Sequence, residues 1–439
     1  MSDQTSTSEQ IPTRDSQRVL ARNLGEHAGS TVQAAGWVHR IRELGGISFV
    51  LLRDRSGMLQ LVYEGSPELT LESVIRVEGT VSANDKAPGG FEIQVSQTEL
   101  LGAAAGELPL TVNQDLTKVG IDALLDNRLL SLRNPKVLDI FRVQSTIARG
   151  FADYLRGRDF TEIKTSKLIG SGTEGGTGLF SVAYFDDTVY LAQSPQFYKQ
   201  AMVASGLERV FEIGQAYRAE KHDTPRHLNE YVSLDVEMGF IAGIDDLMDL
   251  EVELLGSISE LVLQQHADIL DAYGQQVPGL DDWRKTPRIT HDQAKTIVAE
   301  RSGKRVFEIN PEAERELCSW AGEEYGIEAV FVTEYPRKKR PFYTYPEGLK
   351  TQSFDLLFRG LEITTGGRRI NEYAMLLENL PRFGLTEAGL GEYCKIFKYG
   401  CPPHGGFAIG LERLTQKLLG LDNIKEAALF PRDRKRITP

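Results

Sequence analysis

The run Phe211-Glu-Ile-Gly-Gln-Ala-Tyr-Arg218-Ala-Glu220 leads through Lys221-His-Asp-Thr-Pro-Arg226-His227 to Tyr231-Val-Ser-Leu-Asp235-Val-Glu237, and these residues decide the fold class. Two β-rich runs flank a short basic loop, which reads as two strands around a turn. Arg218 and Glu220, two apart on a strand, would point to one face. Arginine can hold a phosphate with both arms of its fork, and glutamate can order a base amino group or a metal ion. Taken alone, the same residues are read more simply as a cross-strand ion pair.

Outward from this segment, the chain alternates helices with strands from about residue 136. Val137, Ile140, Phe141, Val143, Ile147, Phe151 and Leu155 recur at near-helical spacing and predict an amphipathic helix over 137–157. Further helices are predicted over 195–205, 244–265 and 411–419, and strands over 210–217, 231–240, 353–363 and 405–410. Segregated strands and helices predict an α+β domain built on an antiparallel sheet. No internal repeat is visible.

Four more stretches carry chemistry. Gly170-Ser-Gly-Thr-Glu174-Gly-Gly-Thr-Gly178 is rich in glycine but lacks both the strand-GxGxxG-helix context and the Gly-Lys-Ser/Thr of a P-loop. It reads as a solvated loop, or as a lid with Glu174 meeting a substrate cation. In Gln193-Ser-Pro-Gln196-Phe-Tyr-Lys199, Pro195 suits a first helical turn and Lys199 follows one turn later, facing either solvent or a pocket. Glu362-Ile-Thr-Thr365-Gly-Gly-Arg-Arg369 follows. Pro402-Pro-His-Gly-Gly-Phe-Ala-Ile-Gly410-Leu-Glu-Arg413 runs from a glycine-rich strand into a helix. Small residues there would let a flat ligand lie against the backbone, with Arg413 stacked over it.

The first hundred residues are different. Residues 1–17 are polar and read as a disordered tail. Short β-rich runs at 31–39, 47–53, 58–63, 74–81 and 91–95 predict a five-stranded barrel of the OB type, with an SH3-like barrel or a meander as alternatives. The stretch Trp37-Val-His39-Arg-Ile-Arg42-Glu-Leu-Gly-Gly-Ile-Ser-Phe49 interleaves aromatic rings with arginines, as single-stranded nucleic acid requires. Residues 104–135 read as a hinge.

Sixty-two acidic against fifty basic residues give a net charge of -12, which disfavours non-specific coating of nucleic acid or anionic membrane. Cys318, Cys394 and Cys401 have no metal-ligand spacing, and a reducing cytoplasm is the simplest setting. No apolar run reaches the length of a membrane span.

Taken in order, the motifs resemble those of class II aminoacyl-tRNA synthetases, specifically the aspartyl enzymes of archaeal and eukaryal type. The carriers are Gly-Thr-Glu-Gly-Gly-Thr, Gln-Ser-Pro-Gln-Phe-Tyr-Lys, Tyr-Arg-Ala-Glu, Arg-His-Leu-Asn-Glu, Gly-Leu-Glu-Ile-Thr-Thr-Gly-Gly, Pro-Pro-His-Gly-Gly-Phe and Gly-Leu-Glu-Arg, spread over roughly 18–439. The resemblance implies an OB-fold anticodon-binding domain over 18–103, the hinge over 104–135, a catalytic domain over 136–439, and a homodimer. One departure is Ser166, where the family's first motif carries an interface proline. Another is Thr365, where relatives often carry serine.

The implied reaction is the ATP-dependent attachment of L-aspartate to tRNA through an aspartyl-adenylate. By resemblance, Arg218, Glu220 and Arg413 are catalytic. ATP would be bound by Arg218, Ala219, Glu220, Arg226, His227, Leu228, Tyr231, Glu362, Gly410, Leu411, Glu412 and Arg413. Glu362 and Thr365, with Asp355 nearby, would hold Mg²⁺. Glu174, Gln196, Lys199, Arg218, Asp235, Thr365 and Arg369 would surround aspartate, with Lys199 and Arg369 on its side-chain carboxylate. Arg42, Phe49, Gln60 and Glu92 would read the anticodon, Phe49 stacking on its central base.

His39 and Pro88 carry a finer implication. Relatives restricted to tRNA-Asp tend to have tryptophan and lysine in these places, whereas relatives that charge tRNA-Asp and tRNA-Asn have histidine and proline. The expectation is therefore a non-discriminating enzyme whose Asp-tRNA-Asn is converted by a separate amidotransferase; the alternative is an enzyme for tRNA-Asp only. Two other classes compete. A tRNA-independent asparagine-forming paralogue would not need residues 30–100, and a non-catalytic RNA-binding relative would not keep Arg218, Arg369 and Arg413.

Overall fold

The structure, a computed structural model, describes residues 18–170, 178–221 and 223–438. The chain divides into two compact units, Met1–Pro135 and Lys136–Pro439. The proposed tail over 1–17 lies outside the described residues.

The first unit is built on five strands: β1 (Thr31–Leu44), β2 (Ile47–Asp54), β3 (Gly57–Glu64), β4 (Val74–Ala83) and β5 (Phe91–Gly102). They pair in the order β1-β2-β3-β5-β4, and β4 returns to β1 to close a barrel. Only β3 and β5 run parallel. All five extend beyond their predicted ends. Inward residues alternate as the period of two demands: Val32, Ala34, Val38, Val50, Leu52, Leu59, Leu61, Ile75, Val77 and Ile93 form one apolar core. The alternation fails at one place in β1. Val38 pairs with Leu52 and Arg40 with Leu51, so His39 is an extra residue in a bulge, and Val38 and His39 are both buried.

Residues 104–135, expected as a hinge, fall within this unit and contain two short helices, Ile121–Asp126 and Arg128–Ser131. Asn113 Nδ2 donates to the His39 carbonyl (2.7 Å) and Arg133 Nη1 to Glu72 Oε2 (3.1 Å), which ties the stretch to the barrel.

The second unit is built on an eight-stranded sheet: β6 (Thr161–Glu162), β7 (Arg209–Tyr217), β8 (Glu230–Gly239), β9 (Arg288–Thr290), β10 (Ala329–Thr333), β11 (Ser353–Phe358), β12 (Leu361–Arg369) and β13 (His404–Gly410). Their order is β9-β10-β11-β12-β13-β8-β7-β6, antiparallel except at the two outer pairs. Five helices matter below: α1 (Pro135–Arg156), α2 (Gln196–Met202), α3 (Asp245–Ala272), α4 (Pro311–Tyr325) and α5 (Leu411–Leu419).

The apolar stripes of α1 and α3 pack on the sheet's hydrophobic face, where Ile147, Phe151, Leu255 and Ile258 join Leu356, Phe407 and Ile409. The predicted strand over 353–363 is two strands, β11 and β12, joined through Arg359 (φ 47°) and Gly360 (φ 76°), a turn the apolar run conceals. The helices over 291–302 and 311–325 were not predicted. They pack with β9 and β10 into a separate cluster around Leu317, Val330 and Val332. Among the described residues no helix is long and apolar enough to cross a membrane.

Candidate active site

The polar face of the sheet gathers the basic loop, β8, β12, β13 and the start of α5 around one pocket. Arg218, Glu220, Arg226, His227, Leu228, Tyr231, Glu362, Thr365, Gly410, Glu412 and Arg413 all line it, joined by Ser233, Ala408 and Ile424, which sequence reasoning missed. Ala219 instead bridges Gly178, and Leu411 turns into the core. Arg218 and Glu220 do not sit within a strand, since β7 ends at Tyr217. The guanidinium of Arg218 lies 5.6 Å from the Tyr231 ring centre. Arg413 Nη1 donates to the Glu362 carbonyl at 2.8 Å and its carboxylate at 3.3 Å, so it grips β12. Both Glu412 oxygens accept the Val232 N–H (3.1 Å each), and burial pushes this carboxyl up to about 7 against that bond. Glu412 therefore anchors α5 to β8.

Glu362 and Thr365 are three apart and would face opposite ways on a regular strand. Between Leu356 and Leu357 the pairing slips, with Leu356 opposite Thr364 and Leu357 opposite Glu362, so Ile363 is supernumerary. The slip puts both residues on one face, where Thr365 Oγ1 donates to Glu362 Oε1 (3.2 Å). Asp355 is the cross-strand partner of Thr365. Burial pushes the Asp355 carboxyl up to about 6, Arg340 opposing at 2.8 Å and Glu362 adding to the rise. The contact is an ion pair between Arg340 Nη2 and Asp355 Oδ1. Two carboxylates and a hydroxyl on one face are hard oxygen donors that suit a small hard cation such as Mg²⁺. Among the described residues no group of three or more His, Cys, Asp or Glu is placed to hold a metal.

Deeper along the same face lies a closed ionic cluster. Lys199, 1 % exposed on α2, places Nζ 2.9 Å from Asp235 Oδ1 and 3.3 Å from Glu237 Oε2. Arg369, at the end of β12, donates from Nε to Glu237 Oε1 (2.9 Å) and from Nη2 to Gln196 Oε1 and the Gly406 carbonyl (3.1 Å each). Burial would raise the Glu237 carboxyl, but Arg369 and Lys199 outweigh it and hold it below its usual value. Glu237 had no predicted role, although its place two residues after Asp235 signals the same face.

The small residues of β13 serve two purposes. A Cβ on Gly406 would stand 2.0 Å from the Val236 carbonyl oxygen and 2.4 Å from Glu237 Oε2. Gly406 makes room for the Glu237 carboxylate and its strand, while Ala408 and Gly410 line the pocket. Glu174 lies outside the described residues.

The model of class II tRNA synthetases for D, K and N matches residues 120–434, and that of the OB-fold nucleic acid binding domain matches 32–101. This chain is a class II tRNA synthetase. It is 50% identical over 424 residues to the aspartate–tRNA(Asp/Asn) ligase of Thermus thermophilus, covering 96% of this chain and all of the relative. It is 40% identical to the aspartate–tRNA(Asp) ligase of Pyrococcus furiosus, over 94% of this chain and 97% of that one. The asparaginyl-tRNA synthetase of Pyrococcus horikoshii, solved with asparaginyl-adenylate, superposes with a TM-score of 0.87 at 31% identity, covering 94% and 97% of the two chains.

In this synthetase the barrel presents a polar surface on β1, β2, β3 and β5. Phe49 is half-buried, outside the barrel core, and pairs across strands with the exposed Arg42. Glu92, 8 % exposed, accepts from Gln60 Nε2 (2.8 Å), Asn84 Nδ2 (2.6 Å) and Gln94 Nε2 (3.0 Å). Asn84 and Gln94 thus belong to the same patch and were not foreseen. Pro88 opens a tight 3₁₀ turn over Pro88–Gly90.

His39 is buried in its strand. Its bulge turns it inward, where Nδ1 accepts from Arg53 Nη1 (2.9 Å). Arg53 also forks onto both oxygens of Glu72 (2.9 and 2.7 Å). Burial would raise the Glu72 carboxyl, but His39, Arg53 and Arg133 bring it down from 4.5 to about 2. A depressed native pKa stabilises the fold above the unfolded value and is lost as pH falls through the folded one. Barrel amides followed by hydrogen exchange should therefore lose protection between pH 4.5 and 2. In Glu72→Gln that pH dependence should flatten while protection at pH 7 falls; an unchanged pH profile would show that the Glu72 ion pairs do not support the barrel.

Proposed function

We propose that this synthetase joins L-aspartate to tRNA-Asp and to tRNA-Asn, consuming ATP and passing through an aspartyl-adenylate. The observation that carries the choice of amino acid is the pair of buried cations, Lys199 and Arg369, that converge on the single Glu237 carboxylate. Cations spaced to meet on one carboxylate can clasp a second, that of the aspartate side chain. An asparagine amide in the same place would leave positive charge unpaired, which is costly in a buried site. Gln196 and Asp235 would complete the aspartate subsite, with Glu174 a further candidate for its ammonium group.

In this reading Arg218 steers the substrate α-carboxylate onto the α-phosphorus. An oxygen–phosphorus bond forms there as pyrophosphate leaves. The terminal tRNA hydroxyl then attacks the activated carbonyl and AMP departs. No enzyme nucleophile is required, so positioning and charge neutralisation do the catalysis. Glu220 and Tyr231 would order the adenine ring, and Arg226 and His227 the outer phosphates. Asp355, Glu362 and Thr365 would hold Mg²⁺, which supplies positive charge against the phosphates when bound.

Arg42, Phe49, Gln60 and Glu92 would meet the anticodon. His39 and Pro88 favour the relaxed tRNA choice, because a small ring held inward and a proline without an N–H reach less far than an indole and an ammonium. The Thermus thermophilus relative bears the Asp/Asn name, which supports this reading. The proposal includes a homodimer, a cytoplasmic setting and a separate amidotransferase that converts Asp-tRNA-Asn.

Charging purified tRNA-Asp and tRNA-Asn transcripts side by side tests it, with kcat/KM values within about tenfold of each other expected. A preference for tRNA-Asp of about a hundredfold, roughly 2.7 kcal/mol, would refute the relaxed reading.

A further inference from the structure

Arg226 stands in the wall of the nucleotide pocket, and its neighbour across that wall is Glu314 in the first turn of α4. Arg226 Nη2 donates to Glu314 Oε2, and the same oxygen accepts the backbone N–H of Glu362 at 3.2 Å. Glu314 is 8 % exposed. The other arm of the fork, Nη1 of Arg226, is buried and donates no hydrogen bond among the described residues. Behind the pair, Glu314 and Glu362 also line a second cavity of about 460 Å³ with Tyr335, Arg340 and Asp355. The ion pair is thus part of the partition between two cavities.

We propose that Glu314 is a positioning residue for ATP, holding Arg226 in the empty enzyme and competing with the nucleotide's outer phosphates for it. The inference rests on the reading that Arg226 binds those phosphates. An arginine engaged by a carboxylate must be released, wholly or in one arm, before a phosphate takes the fork. Apparent affinity is then reduced by the fraction of enzyme in which Arg226 is free. Glu314 also reaches Glu362 through a backbone bond, so an amide at 314 keeps an acceptor there while losing the charge that holds Arg226.

The test measures the dissociation constant of a non-hydrolysable ATP analogue, and the KM for ATP and kcat in aspartate-dependent pyrophosphate exchange, in the full chain. Glu314→Gln should tighten the analogue and lower KM for ATP by about three- to tenfold, the effect of removing a competing conformation. A gain of affinity is an outcome that loosened packing does not produce. Arg226→Ala should weaken both, and in that background Glu314→Gln should have no further effect. If Arg226→Ala weakens ATP while Glu314→Gln leaves it unchanged or weaker, the competition is absent and the inference is overturned, with the phosphate role of Arg226 standing. If Arg226→Ala changes nothing, that phosphate role has failed and the inference with it. An effect of Glu314→Gln that survives in Arg226→Ala also overturns it, since Glu314 then acts elsewhere.

Discussion

Lys199→Ala should lower kcat/KM for aspartate in pyrophosphate exchange by roughly a hundred- to a thousandfold, the scale of breaking a buried charge pair at about 3–4 kcal/mol. Lys199 is 1 % exposed and bonded to Asp235, with Glu237 at 3.3 Å, so truncation removes one of the two cations proposed for the substrate carboxylate. It also takes the buried cation away from Asp235, while Glu237 keeps Arg369, and some global stability will go with it. The two losses separate by measurement. Binding of an ATP analogue should survive in the variant, because the pocket proposed for the nucleotide is lined by other residues. An enzyme with unchanged kcat/KM for aspartate would remove Lys199 from the amino-acid subsite.

Phe49→Ala should slow tRNA charging by about tenfold or more while leaving aspartyl-adenylate formation intact, since base stacking contributes about 1–3 kcal/mol. Phe49 is half-buried, lies outside the apolar core of the barrel, and stands across from Arg42 on β1. Truncation therefore exposes no barrel core and creates no large cavity. Equal loss of charging and of pyrophosphate exchange would mean that the ring supports the fold, and the stacking role would fall.

Where hydrophobic periodicity was strong, the chain was readable. The 3.6-residue spacing through Ile147, Phe151 and Leu155 located α1, and the alternation in β1 to β4 located the barrel. Helices with weaker stripes escaped. The helix His291–Ser302 buries only His291, Ala294 and Val298, too little to raise a signal against its charged surroundings.

The pocket proposed for the nucleotide gathers residues that belong to recognisable local strings, from Arg218 to Gly410. Partners brought in from distant elements were not legible in this way. Glu314 reaches Arg226 from 88 residues away, and Arg340 reaches Asp355 from another loop. Nothing in the local sequence around either acid announces a fixed cation. His39 lies on the expected strand, but its burial was not legible, because a bulge is a property of strand pairing and leaves no mark in one strand's own pattern.

The slip between β11 and β12 has a consequence of its own. Upstream of Ile363 the strand obeys one odd–even rule, and downstream it obeys the opposite one. Glu362 and Thr365 share a face only because the count changes parity between them. Every substitution that keeps both the chain length and the bulge leaves this arithmetic alone, whereas re-pairing the same residues in uniform alternation would turn one of the two oxygens away from the other. The meeting of these two oxygens thus depends on the pairing of β12 with β11, and lasts only while Ile363 is kept out of the ladder.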